Sequence, residues 1–134
     1  MFERQVLNPP SVPDTLRYGF SQAVVFRGGR RIVLSGQVGV DADERTVGPD
    51  LGSQLEAAIR NIAAVLAAAG GTLAHVIVLR IYLVDSARGD QRHVGEALRR
   101  HFPVDPPATS WVLVSGLSDP AWLVELEAEA VLPD

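Results

Sequence analysis

The stretch Trp122-Leu123-Val124-Glu125-Leu126-Glu127-Ala128-Glu129-Ala130-Val131 decides the fold. Apolar residues alternate with carboxylates, the period of two that a β-strand imposes because successive side chains leave it on opposite faces. As a strand it carries Glu125, Glu127 and Glu129 on one face and Val124, Leu126, Ala128 and Ala130 on the other. One face then enters a core, and the other turns three acids toward water or toward a site. Upstream, Pro107-Ala108-Thr109-Ser110-Trp111-Val112-Leu113-Val114-Ser115-Gly116 is β-branched and aromatic-rich, follows a proline pair and ends in glycine, which predicts a second strand.

Working outward, His75 to Val84 is apolar almost throughout, as in a strand covered on both sides, with Arg80 and Tyr82 interrupting one face. Leu51 to Ala69 repeats apolar residues at three and four (Leu51, Leu55, Ala58, Ile59, Ile62, Val65, Leu66, Ala69), which predicts a helix capped by Asp50 and stopped at Gly70-Gly71. A second helix is expected from Ala87 to His101, interrupted by Gly89 and Gly95, with Val94, Ala97, Leu98 and His101 inward. Nearer the start, Arg4 to Leu7 fits a short strand. Ser21 to Arg27 and Arg31 to Val38 read as strands paired antiparallel through a Gly28-Gly29-Arg30 hairpin. This order predicts one α+β domain over residues 1–134, two helices lying on one face of a sheet. The other face would hold Val76, Val78, Arg80 and Tyr82 beside Glu125, Glu127 and Glu129. Self-association would cover such a half-apolar, half-charged surface.

The 134 residues suit a single domain, and a 47% hydrophobic content supplies its core. Twelve arginines against sixteen Asp and Glu give a net charge of −4, which argues against nucleic acid as a partner. The absence of cysteine excludes disulfides and thiolate chemistry. No signal-peptide pattern opens the chain and no apolar run approaches a membrane span, so a cytoplasmic protein without a membrane partner is expected. The glycine pairs fit neither a dinucleotide fingerprint nor a P-loop, and no cofactor is implied. His75, His93 and His101 lack zinc-ligand spacing, and no metal site is expected. Ser35 and Ser115 lack the Gly-x-Ser-x-Gly elbow of a serine hydrolase.

Taken together, Phe20-Ser21-Gln22-Ala23, Leu34-Ser35-Gly36-Gln37, Gln54 through Asn61-Ile62 to Ala69-Gly70, Val76 to Tyr82 with Asp85, Pro107-Ala108-Thr109-Ser110 and Val124-Glu125-Leu126-Glu127-Ala128 resemble the reactive-intermediate deaminase (Rid, YjgF-like) family. The resemblance runs from about Phe20 to Val131. It implies a chorismate-mutase-like α+β subunit, a homotrimer whose sheets form a central barrel, and small-molecule clefts between subunits. In the family's deaminating branch, the arginine of a Pro-Ala-Arg-Ser motif grips the carboxylate of an imino acid while a carboxylate near the C-terminus helps water attack the imine carbon.

Here Ser35 and Glu125 match that pattern, whereas Thr109 stands in the arginine position, Phe20 where a tyrosine is common, and Gly95 near a helix asparagine. The resemblance therefore implies Glu125 as the catalytic carboxylate, and Phe20, Ser35, Thr109 and Gly95 as residues lining the cleft. Arg80 is a candidate replacement cation or, alternatively, a structural partner of Glu127 or Glu129. Arg17 and Tyr18 are further substitutes. A threonine hydroxyl offers one neutral donor where a guanidinium offers a charged fork. The expected function is that of a divergent imine or enamine hydrolase, not a standard 2-iminobutanoate deaminase. The alternative is a trimer that binds a small metabolite without turning it over, or one that is chiefly structural or partner-binding.

Overall fold

In the computed structural model, which describes Met1–Asp134, the alternating acidic stretch forms the inner strand β7 (Val124–Leu132) of a five-stranded mixed sheet. Antiparallel to it run β5 (Val76–Val84) on one side and β3 (Arg30–Val33) and β4 (Gln37–Val38) on the other. Strand β6 (Ala108–Val114) lies outside β5 and parallel to it. Helix α1 (Leu51–Ala68) joins β4 to β5, and helix α2 (Arg92–His101) joins β5 to β6. Both connections step across the sheet in the same direction. Right-handed crossovers, the hand such connections take, then place both helices on one face.

That face is the core. Leu55, Ile59, Ile62 and Leu66 of α1 pack with Leu79, Ile81 and Leu83 of β5, Val124, Leu126 and Ala128 of β7, and Val94 and Leu98 of α2. Asp50 caps α1 as expected, accepting from Ser53 N at 2.9 Å. Val65, expected inward, is 43% exposed. The position that the pattern overlooked is Gln54, which is fully buried. Its Nε2 donates to the carbonyls of Gly48 and Ala121, and its Oε1 accepts from Leu123 N. Three bonds offset the cost of burying the amide and fasten α1 to the entrance of β7. Helix α2 starts at Arg92, later than Ala87, because Asp85–Ala87 closes a single 3₁₀ turn and Gly89 stays outside the helix.

On the open face Val78, Arg80 and Tyr82 stand opposite Glu129, Glu127 and Glu125. Val76 does not join them: the register slips between Val76 and Val78, and Val76 turns inward to complete burial. The expected strand Arg31 to Val38 is split in two. Val33 faces Glu129 but Gln37 faces Leu126, so Leu34 to Gly36 holds one residue more than β7 over the same span. This is a bulge, and it lifts Ser35-Gly36 out of the ladder.

The expected hairpin between Ser21–Arg27 and Arg31–Val38 is not formed. Strand β2 (Ala23–Arg27) pairs along its whole length with β1 (Glu3–Leu7) in a separate ribbon, and β3 pairs with β7. Gly28 and Gly29 both adopt positive φ, +73° and +81°, a cheap conformation for glycine, and they hand the chain from one sheet to the other. Side chains there would strike the carbonyls of Met1 and Leu132. Two longer pairings, one on each side of the glycines, thus replace the local one. Ser21 N donates to the Pro107 carbonyl at 3.0 Å in a parallel bridge to Ala108, fixing the ribbon to the edge of β6.

Ile62 has no solvent exposure and sits at the centre of the α1 contact. Ile62→Ala is expected to cost about 2 to 5 kcal/mol in a denaturant titration, as large-to-small core changes do. A loss under about 0.5 kcal/mol would contradict the assigned helix face.

Candidate functional site

The candidate residues fall into two groups. The first is at the outer edge of β6. Thr109 and Trp111 pair with Leu79 and Ile81 and so share the helix-side face of the sheet. Phe20 adjoins the Ser21 bridge, and its carbonyl accepts from Thr15 Oγ1. The 3₁₀ turn Leu16–Tyr18 docks on α2, with Arg99 Nη1 donating to the Arg17 carbonyl at 2.9 Å. Gly95 is the α2 residue under this junction. A Cβ there would lie 3.3 Å from Arg99 Nη1 and 3.6 Å from the Tyr18 carbonyl, so a larger residue would push the guanidinium aside.

Between the turn, α2 and β6 opens a cavity of about 370 Å³ lined by Tyr18, Gln91, Arg92, Gly95, Glu96, Arg99 and Trp111. Trp111 is half-buried and its Nε1 donates to Gln91 Oε1 at 2.8 Å. Arg17 stacks on Tyr18 with its guanidinium carbon 4.7 Å from the ring centre, and its Nη2 donates to the phenol at 2.7 Å. The hydroxyls of Thr109 and Ser21 are buried without a hydrogen-bond partner in the subunit. Sequence reasoning missed Gln91, Arg99 and Trp111. The available signal was spacing: Trp111 is two residues beyond Thr109 on one strand face, and Arg99 is one helical turn beyond Gly95.

The second group is on the open face. Glu125 faces Tyr82 and Val38 across the ladder, and its carboxylate lies against Gly36, where any Cβ would overlap it. Ser35 is exposed beside it, and its carbonyl accepts from Gln37 Nε2. Glu125 is the one acid of β7 that no side chain holds. Glu127 accepts from Tyr82, whose phenol pKa is raised by that bond. Glu129 accepts from Arg31 and from Arg80, the latter at 3.0 Å. Arg80 therefore sits in a structural ion pair on the open face, away from Thr109.

Thr109 and Glu125 project from opposite faces of one sheet. Two strand spacings, about 10 Å, and three residues of rise, about 10 Å more, separate their backbones. One subunit does not bring them into one pocket. The Thr109 group is on an edge strand whose outer backbone pairs only at the Ser21 bridge. The largest cavity, about 520 Å³ between the ribbon and the end of α2, holds none of the candidates and meets the edge group through Arg99 and Gly19.

A family model described as endoribonuclease L-PSP matches residues 13–132. Protein DfrA of Myxococcus xanthus is 40% identical over 113 residues, covering 84% of both chains. The human 2-iminobutanoate/2-iminopropanoate deaminase is 28% identical over 129 residues, covering 96% of this chain and 90% of its own. Among solved structures, YyfB, a Rid-family protein of unknown function from Yersinia pestis, superposes with a TM-score of 0.90 at 34% identity, covering 96% of this chain and 98% of its own.

The Arg31–Glu129–Arg80 cluster gives the open face a pH dependence of definite sign. Hydrogen bonds from Arg31 and then Arg80 hold the Glu129 carboxyl below its ordinary value of 4.5. A depressed carboxylate stabilises the fold above its unfolded pKa and loses that contribution as pH falls through the folded one. Glu129→Gln should cost about 1 to 2 kcal/mol at pH 7, a modest figure because Arg31 and Arg80 remain 60% and 41% exposed. The gap should close on acidification below pH 4.5. Denaturant titrations at both pH values check this, and an unchanging gap would contradict it.

Proposed function

This chain belongs to the endoribonuclease L-PSP family, the Rid or YjgF-like proteins, and on that premise we propose that it is a homotrimer whose intersubunit clefts bind a small metabolite and hydrolyse an imine or enamine. The observation that carries the proposal is the division of the site. Glu125 is unpaired on the open face and Thr109 lies at a sheet edge on the other, so a second copy is what sets one half against the other.

In this reading Glu125 acts as general base. It takes a proton from water as the oxygen adds to the imine carbon and delivers it to nitrogen, giving a carbinolamine; it then takes the hydroxyl proton as the carbonyl forms and passes it to the nitrogen, which leaves as the amine. The bulge at Leu34 to Gly36 keeps the approach to the carboxylate open, and glycine at 36 leaves the space that the carboxylate occupies. The human relative is named for deamination of short-chain 2-imino acids. This chain departs from that activity at Thr109, whose single hydroxyl replaces a charged fork, so short 2-imino acids are poor substrates. The same substitution favours a second reading, a cleft that holds a metabolite without turnover. Despite the family's description, RNA is disfavoured by the net charge of −4.

Light scattering should give about 43 kDa, three times the 14.4 kDa chain; a monomer at micromolar concentration would sink the intersubunit cleft. With 2-iminobutanoate generated in situ, the natural protein should add little to the spontaneous rate of keto-acid formation. Thr109→Arg should raise that rate in part, and Glu125→Gln in the same background should abolish the gain while leaving ligand binding intact. Robust turnover by the natural protein would defeat the argument from Thr109. A gain that survives Glu125→Gln would remove Glu125 from the chemistry.

A further inference from the structure

The cavity at the β6 edge carries a recognition pattern of its own. Two aromatic rings line it: the Trp111 indole, held by Gln91 at 2.8 Å, and the half-exposed Tyr18 ring, on which Arg17 stacks. Its charges are unequal. Arg92 is neutralised by two bonds to Asp90, at 2.9 Å each. Arg99 and Arg17 have no carboxylate partner, and Arg99 places only Nη1 on a carbonyl. Glu96 is the one acid on the rim, with His93 4.0 Å away. The balance is positive.

From this arrangement, and resting on the reading that this edge is half of the functional cleft, we propose that the ligand is a planar, conjugated organic anion lying between Trp111 and Tyr18 with its charge against Arg99. Indole, phenol and guanidinium all offer flat faces, so a conjugated ligand gains stacking that a flexible aliphatic chain does not. The space of about 370 Å³ suits a molecule of this size. Gly95 leaves room beside the Arg99 guanidinium, since a Cβ there would lie 3.3 Å from Nη1 and crowd it. The cation absent at Thr109 is thus supplied from α2, one helical turn past Gly95 and farther from the strand. The anionic group of the ligand consequently sits farther from the reacting carbon than in a short 2-imino acid.

The test is a calorimetric titration of the full-length protein with trans-cinnamate, its neutral amide and hexanoate. Cinnamate should bind at least about tenfold more tightly than either, the tenfold against the amide reflecting one charge-assisted bond. Arg99→Gln should erase the preference over the amide and Arg99→Lys should keep part of it. Trp111→Leu should erase the preference over hexanoate and remove ligand quenching of tryptophan fluorescence. Equal affinity for all three ligands by the natural protein, a comparison that needs no variant to fold, would overturn the inference, as would a preference untouched by Arg99→Gln. A preference without any imine turnover would defeat the proposed chemistry alone, and turnover without the preference would defeat this inference alone.

Discussion

Every strand of the main sheet except β6 takes its register from β7. Strands β3, β4 and β5 all hydrogen-bond to it, so the alternation of Val124 to Val131 is imposed on the whole sheet. A slip of one residue would turn three carboxylates into the core and expose Leu126, Ala128 and Ala130. That penalty is larger than the choice between any two loops, which is why the strand tolerates a register shift at Val76 and an extra residue at Leu34 to Gly36 without losing its own phase. Both irregularities fall on its neighbours. One buries Val76; the other brings Gly36 against Glu125.

The constraint also dictates the chemistry of the open face. Three carboxylates on one strand face repel each other unless neighbours compensate, and β5 supplies Arg80 and Tyr82 directly across the ladder. Arg31 from β3 completes the hold on Glu129. No donor is left for Glu125. The unpaired acid is the one beside the bulge, where a ligand or a second subunit has access to it.

The elements whose periodicity is long and regular were legible from sequence alone: α1, β5, β6 and β7 lie where the patterns put them, and the Glu125, Glu127, Glu129 face meets Arg80 and Tyr82. What could not be read was competition between pairings. Gly28-Gly29 carries the local signal of a hairpin, but β1 offers β2 a full ladder and β7 offers β3 another, and no window of sequence weighs those distant partners. Gln54 was invisible for a related reason. Its burial depends on carbonyls at Gly48 and Ala121, one of them 67 residues away. The edge site showed only its family-marked members, Phe20, Gly95 and Thr109. Trp111 passes for a core residue and Arg99 for a solvated helix charge until the turn at Leu16–Tyr18 is folded over them.

That turn joins the surroundings of positions 95 and 109: its Tyr18 carbonyl lies over Gly95, and Ser21 just after it bridges to Ala108. Arginine at 109 would extend from the helix-side face at the sheet edge, beside the ground that Trp111 and Tyr18 border. Threonine there brings no charge to the cavity, and a Cβ at position 95 would lie 3.3 Å from Arg99 Nη1, so the guanidinium would shift by a few tenths of an ångström. Glycine is an unfavourable helix residue, costing about 1 kcal/mol against alanine. In the middle of a ten-residue helix it is a local loss, while Gly19, where a Cβ would strike Leu98, is what lets the turn approach α2 closely enough for Arg99 to reach the Arg17 carbonyl. The cation that lines this cavity without a carboxylate partner is then Arg99 of α2, not a residue of the strand.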